Sequence, residues 1–143
     1  MSTKKNTYQF VIMSNTIQID LIDESMFSQL LDLDDNDNFV QNVYVDFFQQ
    51  VDDAITHFEK LLKENKMQEI NKLGHFLKGG AASTAANKIQ NLCQQIQYHS
   101  SPECDKESIY ILTNIFEQLK VAYTETKLDI DSRLVKHSDV AQP

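Results

Sequence analysis

The residues best suited to chemistry are His75 and Lys78, which lie three positions apart on a helix predicted over 67–82. With about 100° between successive residues, both side chains project from the side opposite Leu73 and Leu77 and therefore face solvent. A neutral imidazole is a usable nucleophile near neutral pH, so it can take up a phosphoryl group. Phosphoryl transfer depends mainly on positioning and charge neutralisation, and Lys78 would supply one positive charge.

Two consecutive glycines, Gly79 and Gly80, follow this pair. Each costs about 1 kcal/mol relative to alanine inside a helix, so a compensating gain is expected. Gly79 falls on the outward face, where a missing side chain lets another molecule approach the backbone. Gly80 turns inward, where it would let a neighbouring helix come close. The spacing thus predicts a phosphoryl-accepting site that stays open to a partner.

The run His75-Phe76-Leu77-Lys78-Gly79 resembles the His-x-Leu-Lys-Gly signature of histidine-containing phosphotransfer domains. A similarity to the fungal phosphorelay intermediates of the yeast osmosensing type extends on to Gln97, and a weaker one covers most of the chain. The resemblance implies a carrier without independent catalytic activity. Such a carrier accepts a phosphoryl group from the aspartate of one receiver domain and passes it to the aspartate of another.

The same resemblance implies roles for individual residues. His75 matches the phosphoacceptor, Lys78 the phosphate-stabilising cation, Gly79 the glycine that keeps the site open, and Gln97 a polar residue at its edge. The residues expected to contact receivers are an apolar patch with an acidic rim on the first helix, and two positions nearer the histidine: Met26, Leu30, Leu33, Asp34, Asp35, Gly80 and Gln94. An apolar stripe on a short helix is also typical of a core, so burial is the alternative for its three apolar members.

The partners implied are receiver domains, including that of a hybrid histidine kinase. Mg²⁺ is expected in those receivers, and no metal or other cofactor in this chain.

Three positions depart from the family pattern. Gly80 stands where serine is common, so one possible hydrogen bond is missing. Thr84-Ala85 replaces the usual Leu-Gly of the following turn, which leaves the geometry of that turn open. Ser101 stands where the yeast relative has a basic residue, which makes the site less cationic.

The elements that must position this site are predicted to be helices. Asp23 is a plausible N-cap for a short helix to Leu33, because its carboxylate can accept from the first turn. Apolar residues at helical spacing then predict four longer helices. The first two cover about 37–63 and 67–82, and the third follows a turn near Ser83-Thr84 and carries Ile89, Leu92, Cys93 and Ile96 on one face. The last is long, starts at the stretch 100–103 with proline in its first turn, and ends near Arg133. We therefore expect one all-α domain over 1–143, an antiparallel four-helix bundle with a short additional N-terminal helix. Residues 1–20 are expected to form a loosely ordered arm and 135–143 a frayed tail.

Composition excludes several classes of protein. The 143 residues include 13 Lys and Arg against 21 Asp and Glu, a net charge of −8, which opposes a nucleic-acid or anionic-membrane partner. Three glycines and two prolines are too few for a fold of many short strands. Two cysteines and a polar start predict a reduced, cytoplasmic location, with a nuclear one left open. A monomer is the simpler expectation for a carrier that docks receivers through one face.

Other functions were weighed against the carrier. A di-metal carboxylate bundle needs Glu-x-x-His on two helices, and no glutamate lies three residues before any of the four histidines. His57, His99 and His137 occupy positions typical of solvated histidines. The serious alternative is a helical adaptor that binds receivers or other partners while His75 is never phosphorylated.

Overall fold

The computed structural model describes residues 19–34, 38–100, 102 and 105–141, and these form helices, turns and no strand. In chain order the helices are α1 (Glu24–Asp32), α2 (Phe39–Lys63), α3 (Met67–Ser83), α4 (Asn87–His99) and α5 (Lys106–Ala141). The four long helices contact one another in the cyclic order α2, α3, α4, α5 and back to α2. The predicted four-helix bundle with an added N-terminal helix is confirmed.

Aromatic contacts show that α2 and α5 run in opposite directions. Phe58 stacks on Phe116 with ring centroids 5.0 Å apart, and Phe48 meets Tyr123 edge-on at 6.0 Å. The residue number therefore rises along one helix as it falls along the other. Around these rings the core is filled by aliphatic side chains that are almost fully buried, among them Ile70, Leu77, Ile89, Leu92, Ile96, Leu112, Ile115 and Leu119.

Helix α1 lies at the end of the bundle where α3 ends and α4 begins. Asp23 caps α1 by accepting a hydrogen bond from the Met26 N–H at 3.1 Å, as the sequence predicts. The Asp23 N–H in turn donates to the carbonyl of Ala85 in the α3–α4 turn at 2.9 Å. Phe27 enters the core and faces the ring of Tyr44 at 6.4 Å.

The α3–α4 turn contains Thr84-Ala85 in place of the usual Leu-Gly, and alanine takes the glycine position. Ala85 takes the left-handed conformation that glycine would occupy, with φ of 61°, and it is 1% exposed. The Tyr44 hydroxyl donates to the carbonyl of Thr84 at 2.6 Å, and burial raises the pKa of that phenol. The turn thus keeps a strained residue because its carbonyls are held from α1 and α2.

Two predicted boundaries differ in the structure. Helix α5 continues to Ala141, so it covers most of the stretch from Val135 that was predicted to be a frayed tail. The extra turns are held against the bundle, because Leu134 at their start packs on the core and Nε2 of His137 lies 3.3 Å from the Asp34 carboxylate. Helix α2 begins at Phe39, after Asn38 with φ of 59°. Most of the predicted N-terminal arm lies outside the described residues.

Candidate functional site

His75 lies in the middle of α3 with its side chain exposed, while Leu77 on the opposite side of the same helix is fully buried. The outward placement predicted from helical spacing is therefore observed. Phe76, next to the histidine, is also exposed, at 61%. Sequence reasoning missed this aromatic, although a phenylalanine away from the apolar stripe of an amphipathic helix is a readable signal.

Gln97 reaches His75 from α4. The Nε2 atom of Gln97 lies 3.2 Å from Nδ1 of His75, so the amide and the imidazole are in hydrogen-bond contact across the two helices. The other amide atom, Oε1, is buried and has no hydrogen-bond partner in the described part of the chain. A half-turn of the amide exchanges the two atoms, so Gln97 can either donate a hydrogen bond to Nδ1 or accept one from a protonated Nδ1.

The main chain of Gln97 is held as well. Its carbonyl accepts a hydrogen bond from Nδ2 of Asn71 at 2.9 Å and a second from Oγ of Ser100 at 3.2 Å. This carbonyl belongs to the last turn of α4, whose carbonyls lack partners within the helix. Asn71 lies on α3, one turn before His75, and was not assigned a role from the sequence.

Lys78 is half-buried and forms no ion pair with the residues that the structure describes. Its charge acts on the neighbouring Cys93 thiol by lowering its pKa, but burial dominates and raises that pKa to about 12. Cys93 is thus an inert, neutral core residue, and the Lys78 ammonium remains available to an anion at the surface.

The three glycines of the chain have different surroundings, all on α3. A Cβ added at Gly79 would meet no atom within 4 Å, so the surface is open there. A Cβ at Gly80 would meet Phe47 and Gln50 of α2 at 3.4–3.5 Å, an ordinary contact. Position 80 therefore faces α2, as predicted for an inward-turned Gly80, while contact of the half-exposed Gly80 with a partner stays a prediction. Gly74, which the sequence reasoning passed over, is the tight one, since its Cβ would lie 3.2 Å from Cγ2 of Ile96.

The patch predicted on α1 is only partly exposed. Leu33 is 64% exposed and Met26 is half-buried, but Leu30 is 5% exposed and belongs to the core. The prediction of Leu30 as the centre of a docking patch is therefore wrong, because α1 turns Phe27 and Leu30 together into the bundle end.

The acidic rim of that patch is described in part. Asp34 accepts a hydrogen bond from the Val40 N–H at 3.4 Å and lies 3.3 Å from Nε2 of His137. Asp35 lies outside the described residues. Gln94 is exposed on α4, as expected of a partner-contacting position.

Within the described residues, no three histidine, cysteine, aspartate or glutamate side chains converge into a metal-binding group. None of the helices in that part of the chain is long and apolar enough to cross a membrane. Of the other histidines, His57 is exposed on α2, and His99 is half-buried, with its pKa lowered by desolvation.

Comparison with known proteins gives a family match and several relatives. The family model described as Hpt domain matches residues 42–122, which include His75, Lys78, Gly79 and Gln97. "Multistep phosphorelay regulator 1" of Schizosaccharomyces pombe is 36% identical over 83 residues, 57% of this chain and 28% of that protein. "Phosphorelay intermediate protein YPD1" of Candida albicans is 36% identical over 78 residues, 54% of this chain and 42% of that protein. The chain thus spans less than half the length of these two relatives.

A solved structure with the same fold is that of the Saccharomyces cerevisiae histidine phosphotransfer signaling protein Ypd1, determined with the receiver domain of its downstream response regulator Ssk1. The TM-score is 0.72 at 18% sequence identity, and the match covers 80% of this chain and 95% of that one. At this identity the likeness supports the fold alone.

Proposed function

The chain belongs to the Hpt domain family, and we propose that it is a phosphorelay intermediate that carries a phosphoryl group on His75 between the aspartates of two receiver domains. The observation that carries this proposal is the surface at His75. An exposed imidazole there is oriented by Gln97 at 3.2 Å and bordered by Gly79, whose surroundings are open.

The hydrogen-bond contact of one His75 ring nitrogen with Gln97 determines which nitrogen is free to attack phosphorus. Because Nδ1 of His75 faces Gln97, Nε2 is the nitrogen left to attack. Its lone pair forms a bond to the phosphorus of a receiver's aspartyl phosphate as the bond from phosphorus to the aspartate oxygen breaks. The electron pair of that bond returns to the carboxylate. For Nε2 to carry a lone pair in the neutral ring, the proton must sit on Nδ1, where the Nδ1–H can donate a hydrogen bond to Oε1 of a turned Gln97 amide.

Lys78 and Gly79 act on the phosphoryl group without bonding to it. The ammonium of Lys78 lies one turn along α3 and stabilises the negative charge that arrives on the imidazole. Gly79 leaves room for the receiver surface that carries the reacting aspartate. Neither residue takes up phosphate, so each is expected to change the rate or the product lifetime only.

The proposal extends to partners and surroundings. We expect the donor receiver to include that of a hybrid histidine kinase, and Mg²⁺ to be held by the receivers. The chain itself then needs no cofactor and no independent catalytic activity. We expect it to work as a monomer in the cytoplasm, and the location of a fluorescent fusion would show whether it also enters the nucleus.

The test is incubation with a receiver domain phosphorylated on its aspartate. The parent protein should acquire an acid-labile, base-stable phosphate, as phosphohistidine does, and His75→Gln should acquire none. Lys78→Ala should still be labelled, but more slowly or with a shorter-lived product. His57→Gln is the matched control, because it removes another exposed histidine and should leave labelling unchanged.

The same experiment separates the carrier from an adaptor. Receiver binding by the parent protein with no phosphate transfer would favour the adaptor. Equal labelling of the parent and His75→Gln would show that a residue other than His75 accepts the phosphate. Loss of labelling in His57→Gln would identify His57, and not His75, as the acceptor.

A further inference from the structure

The main chain of Gln97 is held in place by a hydrogen bond from Asn71, which lies on α3, the same helix as His75. Nδ2 of Asn71 donates to the Gln97 carbonyl at 2.9 Å, one turn along α3 from His75. The contact spans from α3 to the last turn of α4, and it supplies a partner for a carbonyl that a helix end leaves unpaired.

Two other contacts set the same short stretch of α4. Ser100, itself 2% exposed, donates its hydroxyl to the same carbonyl at 3.2 Å. Gly74 lets α4 approach closely, because a Cβ at that position would stand 3.2 Å from Ile96 and 3.4 Å from Cγ of Gln97. Contacts with α3 therefore fix the position of the Gln97 backbone, from which its side chain extends toward His75.

We propose that Asn71 is a positioning residue for phosphoryl transfer, a role that rests on the proposed function of His75. By holding the main chain of Gln97, Asn71 fixes the Gln97 amide against Nδ1 of His75. The amide then holds the imidazole in one rotamer and one tautomer, so that the opposite nitrogen faces the receiver with its lone pair. Asn71 touches neither the phosphoryl group nor the imidazole.

The magnitude follows from a single hydrogen bond. The bond lost is the one from Asn71 to the Gln97 carbonyl, and a single neutral hydrogen bond corresponds to about a fivefold to tenfold lower rate of phosphoryl acceptance. The fold should survive, because Asn71 is a half-buried residue outside the hydrophobic core.

The chain offers a matched control in Asn87. Its Nδ2 also donates to a main-chain carbonyl at 2.9 Å, that of Asp20, at the opposite end of α4. Asn87→Ala therefore removes a bond of the same type and length without touching Gln97. Asn71→Asp is a second variant, since it keeps the shape of the side chain but cannot donate from either oxygen when ionised.

The experiment reads the ring nitrogens of His75 directly, by nitrogen-15 NMR at a pH where the imidazole is neutral, beside the rate of labelling by a phosphorylated receiver. In the parent and in Asn87→Ala the two nitrogens should show the shifts of one held tautomer. In Asn71→Ala and Asn71→Asp they should move toward the averaged shifts of exposed His57, with labelling fivefold to tenfold slower.

Unchanged nitrogen shifts in both Asn71 variants would overturn the proposal, and so would equal changes in Asn87→Ala. If the shifts change as expected but the parent protein accepts no phosphate, the positioning of the imidazole by Asn71 stands and the proposed function fails.

Discussion

Arg133 of α5 holds Glu24 of α1 through two parallel contacts, with one guanidinium nitrogen 2.7 Å from Oε2 and another 2.6 Å from Oε1. The same guanidinium donates to Asp129 at 2.9 Å and lies 5.1 Å from the centre of the Phe27 ring. The only arginine of the chain thus joins the first helix to the distal half of the last one. This explains why α5 continues past the bundle and why a helix of nine residues stays in place.

The Arg133–Glu24 pair predicts an acid-sensitive attachment of α1. Hydrogen bonding to Arg133 lowers the pKa of Glu24 below its usual 4.5. A depressed carboxylate contributes stability above its unfolded pKa, and the contribution is lost as the pH falls through the lower folded value. The parent protein should therefore lose more stability than Glu24→Gln between pH 6 and pH 3, measured by urea unfolding at each pH. Glu125→Gln, an exposed carboxylate of α5, should follow the parent, and a Glu24→Gln curve parallel to the parent would contradict the pair's role.

The two leucines of α1 should respond in opposite ways. Leu30 is 5% exposed, so Leu30→Ala should cost about 2–4 kcal/mol of unfolding free energy. Leu33 is 64% exposed, so Leu33→Asp should change stability by no more than about 0.5 kcal/mol. If α1 docks a receiver, Leu33→Asp should weaken that binding by more than about 1 kcal/mol, read by titration calorimetry. If Leu33→Asp binds the receiver as tightly as the parent protein does, Leu33 on α1 is not part of the docking surface.

These outcomes show what helical spacing can and cannot predict. His75, Lys78 and Gly79 were placed correctly, because on a long helix with a continuous apolar stripe each residue's side is fixed by its angle from the core. Leu30 was misplaced because α1 is short and crosses the bundle end, so its orientation is set by contacts with α2 and α5.

Other features carry no signal in the sequence. Asn71 resembles any solvated residue, because its partner is a main-chain carbonyl 26 positions away. The last turns of α5 have a similar explanation, since Leu134 and His137 hold them through contacts with the core and with Asp34 that local composition does not reveal.

The glycines of α3 should give three different results. Gly79→Leu should stabilise the protein by about 0.5–1 kcal/mol, since it adds helix propensity in open space, yet slow labelling by a phosphorylated receiver at least about tenfold by blocking access. Gly74→Ala should gain little or none of the roughly 1 kcal/mol of helix propensity, because Ile96 must move by a few tenths of an ångström to admit the new Cβ. Gly80→Ala is the control, since it faces α2 at ordinary contact distance and should leave labelling unchanged. Normal labelling of Gly79→Leu would show that the opening at Gly79 is not used.

Replacing Ala85, the left-handed residue of the α3–α4 turn, by glycine should relieve backbone strain in the folded protein. Ala85 has φ of 61°, a conformation that costs a non-glycine residue about 1–2 kcal/mol. Its neighbour Ala86 is equally buried, at 0% against 1% exposure, but has φ of −83°. Replacing either alanine by glycine removes one buried methyl and loosens the unfolded chain, so these two costs cancel in the comparison. Only Ala85→Gly also relieves the left-handed strain. Ala86 is also the N-cap of α4, where glycine is favoured over alanine, and this offsets part of the difference. We therefore expect Ala85→Gly to be the more stable variant by about 0.5–1 kcal/mol in urea unfolding. Equal stability of the two variants would mean that position 85 carries no strain beyond this offset, and that the turn is held at little cost by the contacts from Tyr44 and Asp23.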